Sequence, residues 1–270
     1  MLSPASRRLT YSLAFLYALL GAALFFWPGA MAPVFAWKVT PFMTMTIGGW
    51  SLGNAWLAWI IARRWEWRLV YTSLGYLWLF GALELAVVIA FADKVQLQQP
   101  IAWLYLAALG VNALAALGGV ADRIRLRPAP HAFGAPVRPY ERAAVIAFVV
   151  FVGFLALFGM AAPVGALGTN GGIFPEVMSL FTLRSFAAFY LALAVGAAPL
   201  LVERSRQALL HHAYASYGLI VAITAAALWN LRLFDFAARP GGLLYIGAYL
   251  VVGLPLLYAF YRLGTGLRPD

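Results

Sequence analysis

The stretch "SLFTLRSFAAFYLALAV", residues 179–195, holds one charge, Arg184, in a run that otherwise reads as the middle of a lipid-spanning helix. A helix needs about 20 predominantly apolar residues to cross the hydrocarbon core of a bilayer. Working outward from this run, the same reading finds eight such segments: Leu9–Trp27, Phe42–Ala62, Leu69–Phe91, Ile101–Val120, Arg142–Met160, Val177–Val202, Leu209–Phe234 and Gly242–Tyr261. Turn-forming segments separate them, among them "WPGAMAP" (27–33), "QLQQP" (96–100) and "AARPGG" (237–242). The sequence therefore predicts an all-α, polytopic integral membrane protein with eight transmembrane helices.

Bulk composition agrees. Of 270 residues, 64% are hydrophobic and 10% are charged, where a soluble domain carries about 45–50% and about 25%. The solvent for that surface is lipid. The net charge of +10 does not point to nucleic acid, because the basic residues are thinly spread between apolar runs and no helix presents a dense basic face with interleaved aromatics. The chain has no cysteine, which excludes disulfides, thiol redox chemistry and Cys-ligated metals.

Basic residues also set orientation, since Lys and Arg accumulate on the cytoplasmic side. With the N-terminus cytoplasmic, the inner segments hold Arg7, Arg8, Arg63, Arg64, Arg68, Arg123, Arg125, Arg127, Arg138, Arg142, Arg204, Arg206, Arg262 and Arg268. The outer side holds Lys38, Lys94, Arg184, Arg232 and Arg239. Both chain ends are predicted to be cytoplasmic.

The two halves resemble each other. "PFMTMTIGGWSLGNAWLA" (41–58) lies over "PEVMSLFTLRSFAAFYLA" (175–192) at a shift of 134, and "SLGYLWLFGALEL" (73–85) over "SYGLIVAITAAAL" (216–228) at a shift of 143. The nine extra residues are expected near the inner turn around residues 199–212. On this reading, residues 1–121 and 142–270 are parallel four-helix repeats, joined by a basic, proline-rich cytoplasmic linker at 122–141 that contains His131. Gly49 and Gly53, and the row Ala108, Ala115 and Gly119, are expected to let helices approach closely. Trp27, Trp37, Trp65, Trp67, Tyr71 and Trp103, near the span ends, are expected to form an aromatic belt. The stretch "WKVTPF" (37–42) with "GGW" (48–50) resembles segments of bacterial membrane proteins. That resemblance names no family and carries over no site residues; a bacterial cell inner membrane is the expected setting.

Few polar residues compete for a functional role. There is no phosphate loop, no HExxH, and no arrangement that calls for a metal or cofactor. His211 and His212 are adjacent and so diverge by about 100° on a helix; they read as an interfacial polar pair. The remaining candidates lie in or beside the spans: Asn54, Glu84, Asn112, Asn230, Arg184 and Asp235. Ionisable groups in a span are costly, about 2.5–3.5 kcal/mol at the helix centre, and usually find a partner inside the bundle. Tyr76, Phe80 and Glu84 repeat every four residues and share a face. Arg232 and Asp235, three apart, are expected to pair locally. Arg184, roughly 12 Å below the outer end of its helix, and Glu84, roughly 10 Å below the same surface, are expected to pair across the halves. Snorkelling of Arg184 toward Glu176 or Asp235 is the alternative.

Three functional readings stand side by side. One is a non-catalytic accessory or structural component of a membrane complex, with other subunits or a second copy as partners. Another is a small-solute transporter with a site between the repeats. The third is a lipid- or quinone-binding membrane enzyme using Glu84 as acid or base.

Overall fold

The computed structural model describes residues 2–128, 134–162, 173 and 175–263. His131, Arg268 and most of 163–174 lie outside them. Among the described residues the protein is all-helical and strandless, with one isolated bridge between Pro136 and Ser205. The helices are α1 (Pro4–Phe26), the short α2 (Pro28–Met31), α3 (Pro41–Arg63), α4 (Trp67–Ala90), α5 (Pro100–Leu126), α6 (Pro139–Ala161), α7 (Leu180–Ala197), α8 (Arg206–Trp229) and α9 (Gly241–Leu263).

Their starts are written in the chain. Proline stands at the first helical position of α1, α3, α5 and α6, where its missing N–H costs nothing and its fixed φ suits the helix. The hydroxyls of Ser3, Thr40, Ser179 and Ser205 cap α1, α3, α7 and α8 by accepting from the backbone N–H three residues on.

Among the described residues, seven helices are long and apolar enough to cross a membrane: α1, α4, α5, α6, α7 with its 3₁₀ extension to Leu201, α8 and α9. They make this a multi-pass protein of the lipid bilayer. The second expected span, α3, has full length but falls short in hydropathy, because Thr44, Thr46, Gly48, Gly49, Ser51, Gly53 and Asn54 dilute it. All seven of those residues are buried, and α3 packs against α1 on one side and α8 on another. A helix surrounded by protein has no need of a lipid-compatible surface.

The core is assembled across the two halves of the chain. The sequential helices α3 and α4 touch little; α3 lies along α8 and α4 along α7. Backbones come close at glycine. A Cβ on Gly53 would meet the Leu219 Cα at 2.5 Å, and one on Gly196 would meet the Tyr76 Cα at 2.7 Å. Gly119 lies under the Trp78 ring, so the small-residue face expected of α5 is buried as expected.

Element boundaries recur at one interval. The starts of α3 and α7 (41 and 180), both ends of α4 and α8 (67–90 and 206–229), and the 3₁₀ turns Ala92–Lys94 and Leu231–Leu233 are all 139 residues apart. This interval differs from the shifts of 134 and 143 between the matched sequence stretches, and the starts of α1 and α6 (4 and 139) and of α5 and α9 (100 and 241) do not follow it. The α3–α4 link is 64–66 and the link into α8 is 202–205.

The aromatic belt is also redrawn. Trp27 and Trp103 are largely exposed, as anchors should be, but Trp37, Trp65 and Trp67 are buried. The Trp65 indole donates to the Leu2 carbonyl at 3.1 Å. The part of the linker at 134–138 pairs with the segment before α8: Val137 N–H donates to the Arg204 carbonyl, and Arg206 N–H to that of Ala135.

Candidate functional site

The α4 face Tyr76, Phe80, Glu84 turns inward, and each of the three is buried. Neighbouring helices meet it with polar groups. On α3, Asn54 Oδ1 accepts from the Tyr76 hydroxyl at 2.9 Å. On α5, the Tyr105 hydroxyl donates to Glu84 Oε2 at 3.1 Å. On α7, the Ser185 hydroxyl donates to the same oxygen. Asn112, packed on Gly81 one turn from Glu84, donates from Nδ2 to the Tyr17 hydroxyl of α1 at 2.9 Å. Phe80 sits among the rings of Tyr17, Tyr76 and Phe189, with centroids about 6 Å away. Three buried atoms in this cluster have no hydrogen-bond partner: Asn54 Nδ2, Glu84 Oε1 and Asn112 Oδ1.

Arg184 does not join it. Its guanidinium donates to the carbonyls of Gly159 and Ala162 at the C-terminal end of α6, the second at 3.1 Å. No ion pair links Arg184 to Glu84, Glu176 or Asp235 among the described residues. The expected pairing is therefore overturned, for two reasons. Helix α7 begins at Leu180, not near Glu176, so Arg184 lies only about 6 Å along it. Successive residues also point about 100° apart on a helix. Ser185 takes the direction of α4, and Arg184 takes that of α6. The last carbonyls of a helix lack partners within it and carry its negative dipole end, so a cation is well placed there.

Asn230 and Asp235 also lie away from the cluster. Asn230 caps α8, donating to the Ala226 carbonyl at 2.9 Å. Asp235 Oδ1 accepts from the N–H groups of Ala237 and Ala238, an Asx turn in place of the expected pair with Arg232. Glu176 accepts from the Thr40 hydroxyl. His211 and His212 are buried, and His212 packs against α4. His212 Nδ1 lies 2.9 Å from the Thr72 hydroxyl and 3.0 Å from that of Ser73, while both ring nitrogens of His211 lack a hydrogen-bond partner.

Above Glu84 the helix ends enclose a cleft of about 410 Å³ lined by Trp37, Lys38, Phe91, Lys94, Gln96 and Phe181, among others. Phe181 is stacked between Trp37 and Phe91. The Trp37 indole donates to the Thr182 hydroxyl at 3.0 Å, and its ring lies 5.4 Å from that of Tyr105. Tyr105 is thus the link between the cleft floor and Glu84. Tyr17, Tyr105 and Ser185 were missed in the sequence, because a hydroxyl in an apolar helix has the same signal whether it caps, anchors or binds. No group of three or more His, Cys, Asp or Glu able to hold a metal occurs among the described residues. Comparison with family models, curated proteins and solved structures finds no match to the chain.

Proposed function

We propose that this protein is a non-catalytic component of a membrane assembly, built from eight spans in two parallel four-helix units with both ends cytoplasmic. The observation that carries the functional part is how its interior polar groups are used. Tyr76 with Asn54, Tyr17 with Asn112, and Tyr105 and Ser185 with Glu84 tie helices together, and Trp37 with Thr182 ties the segment before α3 to α7. Side-chain hydrogen bonds between helices are a means of fastening a bundle in lipid.

Three observations support the architecture. Helix α3 has 23 residues, about 35 Å of helix against a hydrocarbon core of about 30 Å. The reciprocal packing of α3 on α8 and α4 on α7 and the 139-residue interval are what a pseudo-twofold along the membrane normal produces. The fourteen-to-five division of basic residues supports the orientation.

The test is purification in mild detergent, with mass by light scattering and co-eluting proteins identified by mass spectrometry. A partner at fixed stoichiometry, whose own level falls when this protein is deleted, is expected. A protein that purifies alone and drives solute uptake in liposomes would instead favour the transporter reading. The specific support for that second reading is the set of unpartnered atoms on Asn54, Glu84 and Asn112, buried around α4.

A further inference from the structure

We propose that Glu84 is a proton-binding site inside the membrane span, held as the neutral carboxylic acid at neutral pH with its proton on Oε1. Glu84 is fully buried, and an isolated carboxylate removed from water is so unfavourable that a group in this position either finds a cation or takes up a proton. Among the described residues no cation forms an ion pair with Glu84. The nearest candidate by sequence, Arg184, is committed to the α6 carbonyls. The groups that meet Glu84 are uncharged: Ser185 from α7 and Tyr105 from α5. Other polar groups bordering α4 are Tyr17 of α1, Asn54 of α3 and Asn112 of α5, while the titratable and charged groups that meet α4 do so toward its other end: His212 of α8 at Thr72 and Ser73, Glu203 at the Tyr71 hydroxyl, and the Arg123 guanidinium over the Trp67 ring.

The two carboxyl oxygens are also unequal. Oε2 accepts two hydroxyl hydrogen bonds, as the carbonyl oxygen of an acid does, whereas Oε1 has no partner. An ionised carboxylate would leave a full half-charge at Oε1 without a donor. A protonated one makes Oε1 a donor, and the unpartnered Asn112 Oδ1, one helical turn along the same interface, is an acceptor of the kind it requires.

The experiment is infrared difference spectroscopy of the full-length protein in liposomes, wild type against Glu84→Gln, at pH 7. The expected result is a carbonyl stretch of a neutral carboxylic acid in the wild type that shifts in D₂O and is lost in the variant. A difference spectrum showing only carboxylate bands lost at pH 7 would overturn the proposal. Thermal unfolding supplies a second readout independent of the spectral assignment. Glu84→Gln, neutral and of the same shape, should be at least as stable as the wild type at pH 7, and Glu84→Ala less stable. Because the unfolded chain ionises at Glu84 in the ordinary carboxyl range while the folded state keeps the proton, the wild type should lose stability relative to Glu84→Gln as pH rises from about 4 to 7. A Gln variant as destabilised as the Ala variant at pH 7, together with a wild type whose margin over Gln does not change across that range, would refute the neutral acid.

Discussion

Arg184 and Ser185 are neighbours in sequence and serve different faces of one helix. The guanidinium closes the end of α6 through the Gly159 and Ala162 carbonyls, and the hydroxyl binds Glu84 of α4. A helix that separates adjacent side chains by about 100° can hold two neighbours with one turn. It follows that the charge in the 179–195 run acts on the helix beside it in the same half, and that the contact across the halves is made by an uncharged residue.

Arg184→Gln should therefore destabilise the protein by about 1.5–3 kcal/mol, the range for a hydrogen bond to a charged group, and Arg184→Lys by less. Thermal unfolding in detergent reads both. The exchange Arg184→Glu with Glu84→Arg should show no recovery over the single variants, because the two residues share no contact. A recovery of more than about 1 kcal/mol would mean that they are coupled.

Topology is tested with single cysteines, which the cysteine-free chain accepts without background. Ala30 is exposed at one end of the bundle and Arg204 at the other, whereas Ser205, the α8 cap, is buried and would be silent from either side. In intact cells an impermeant thiol reagent should label Ala30→Cys and spare Arg204→Cys until the membrane is opened. The opposite pattern would invert the orientation.

The close approaches of α3 to α8 and of α7 to α4 predict steric sensitivity. Gly53→Ala and Gly196→Ala would each place a Cβ against backbone, and overpacking of this kind costs about 1–3 kcal/mol. Gly75, whose Cβ would meet open space, is the control, and Gly75→Ala should leave the melting midpoint unchanged or raised.

His212→Ala should cost about 1–3 kcal/mol, since it leaves the buried hydroxyls of Thr72 and Ser73 without their shared partner. His212→Asn should restore part of the loss. Equal stability of all three proteins would show that the histidine contributes no fastening between α8 and α4.

By itself the sequence determined the solvent, the secondary structure and the position of nearly every helix, because each rests on a local quantity: apolar run length, proline at a first helical position, or a hydroxyl at a cap. It marked Glu84 as an inward group for the same reason, through the four-residue spacing with Tyr76 and Phe80. Partners were another matter. Glu84 meets Ser185 and Tyr105, and Arg184 meets two backbone carbonyls; the directions that bring them together depend on where α7 begins and how it is rotated against α4 and α6. A shift of the α7 start by a few residues moves a side chain several ångströms and to another face. The small and polar residues within α3, from Thr44 to Asn54, are likewise explained only by the helices around it. Periodicity and composition are properties of a single segment, whereas pairing depends on the relative rotation and register of two segments, and only the packed structure specifies those.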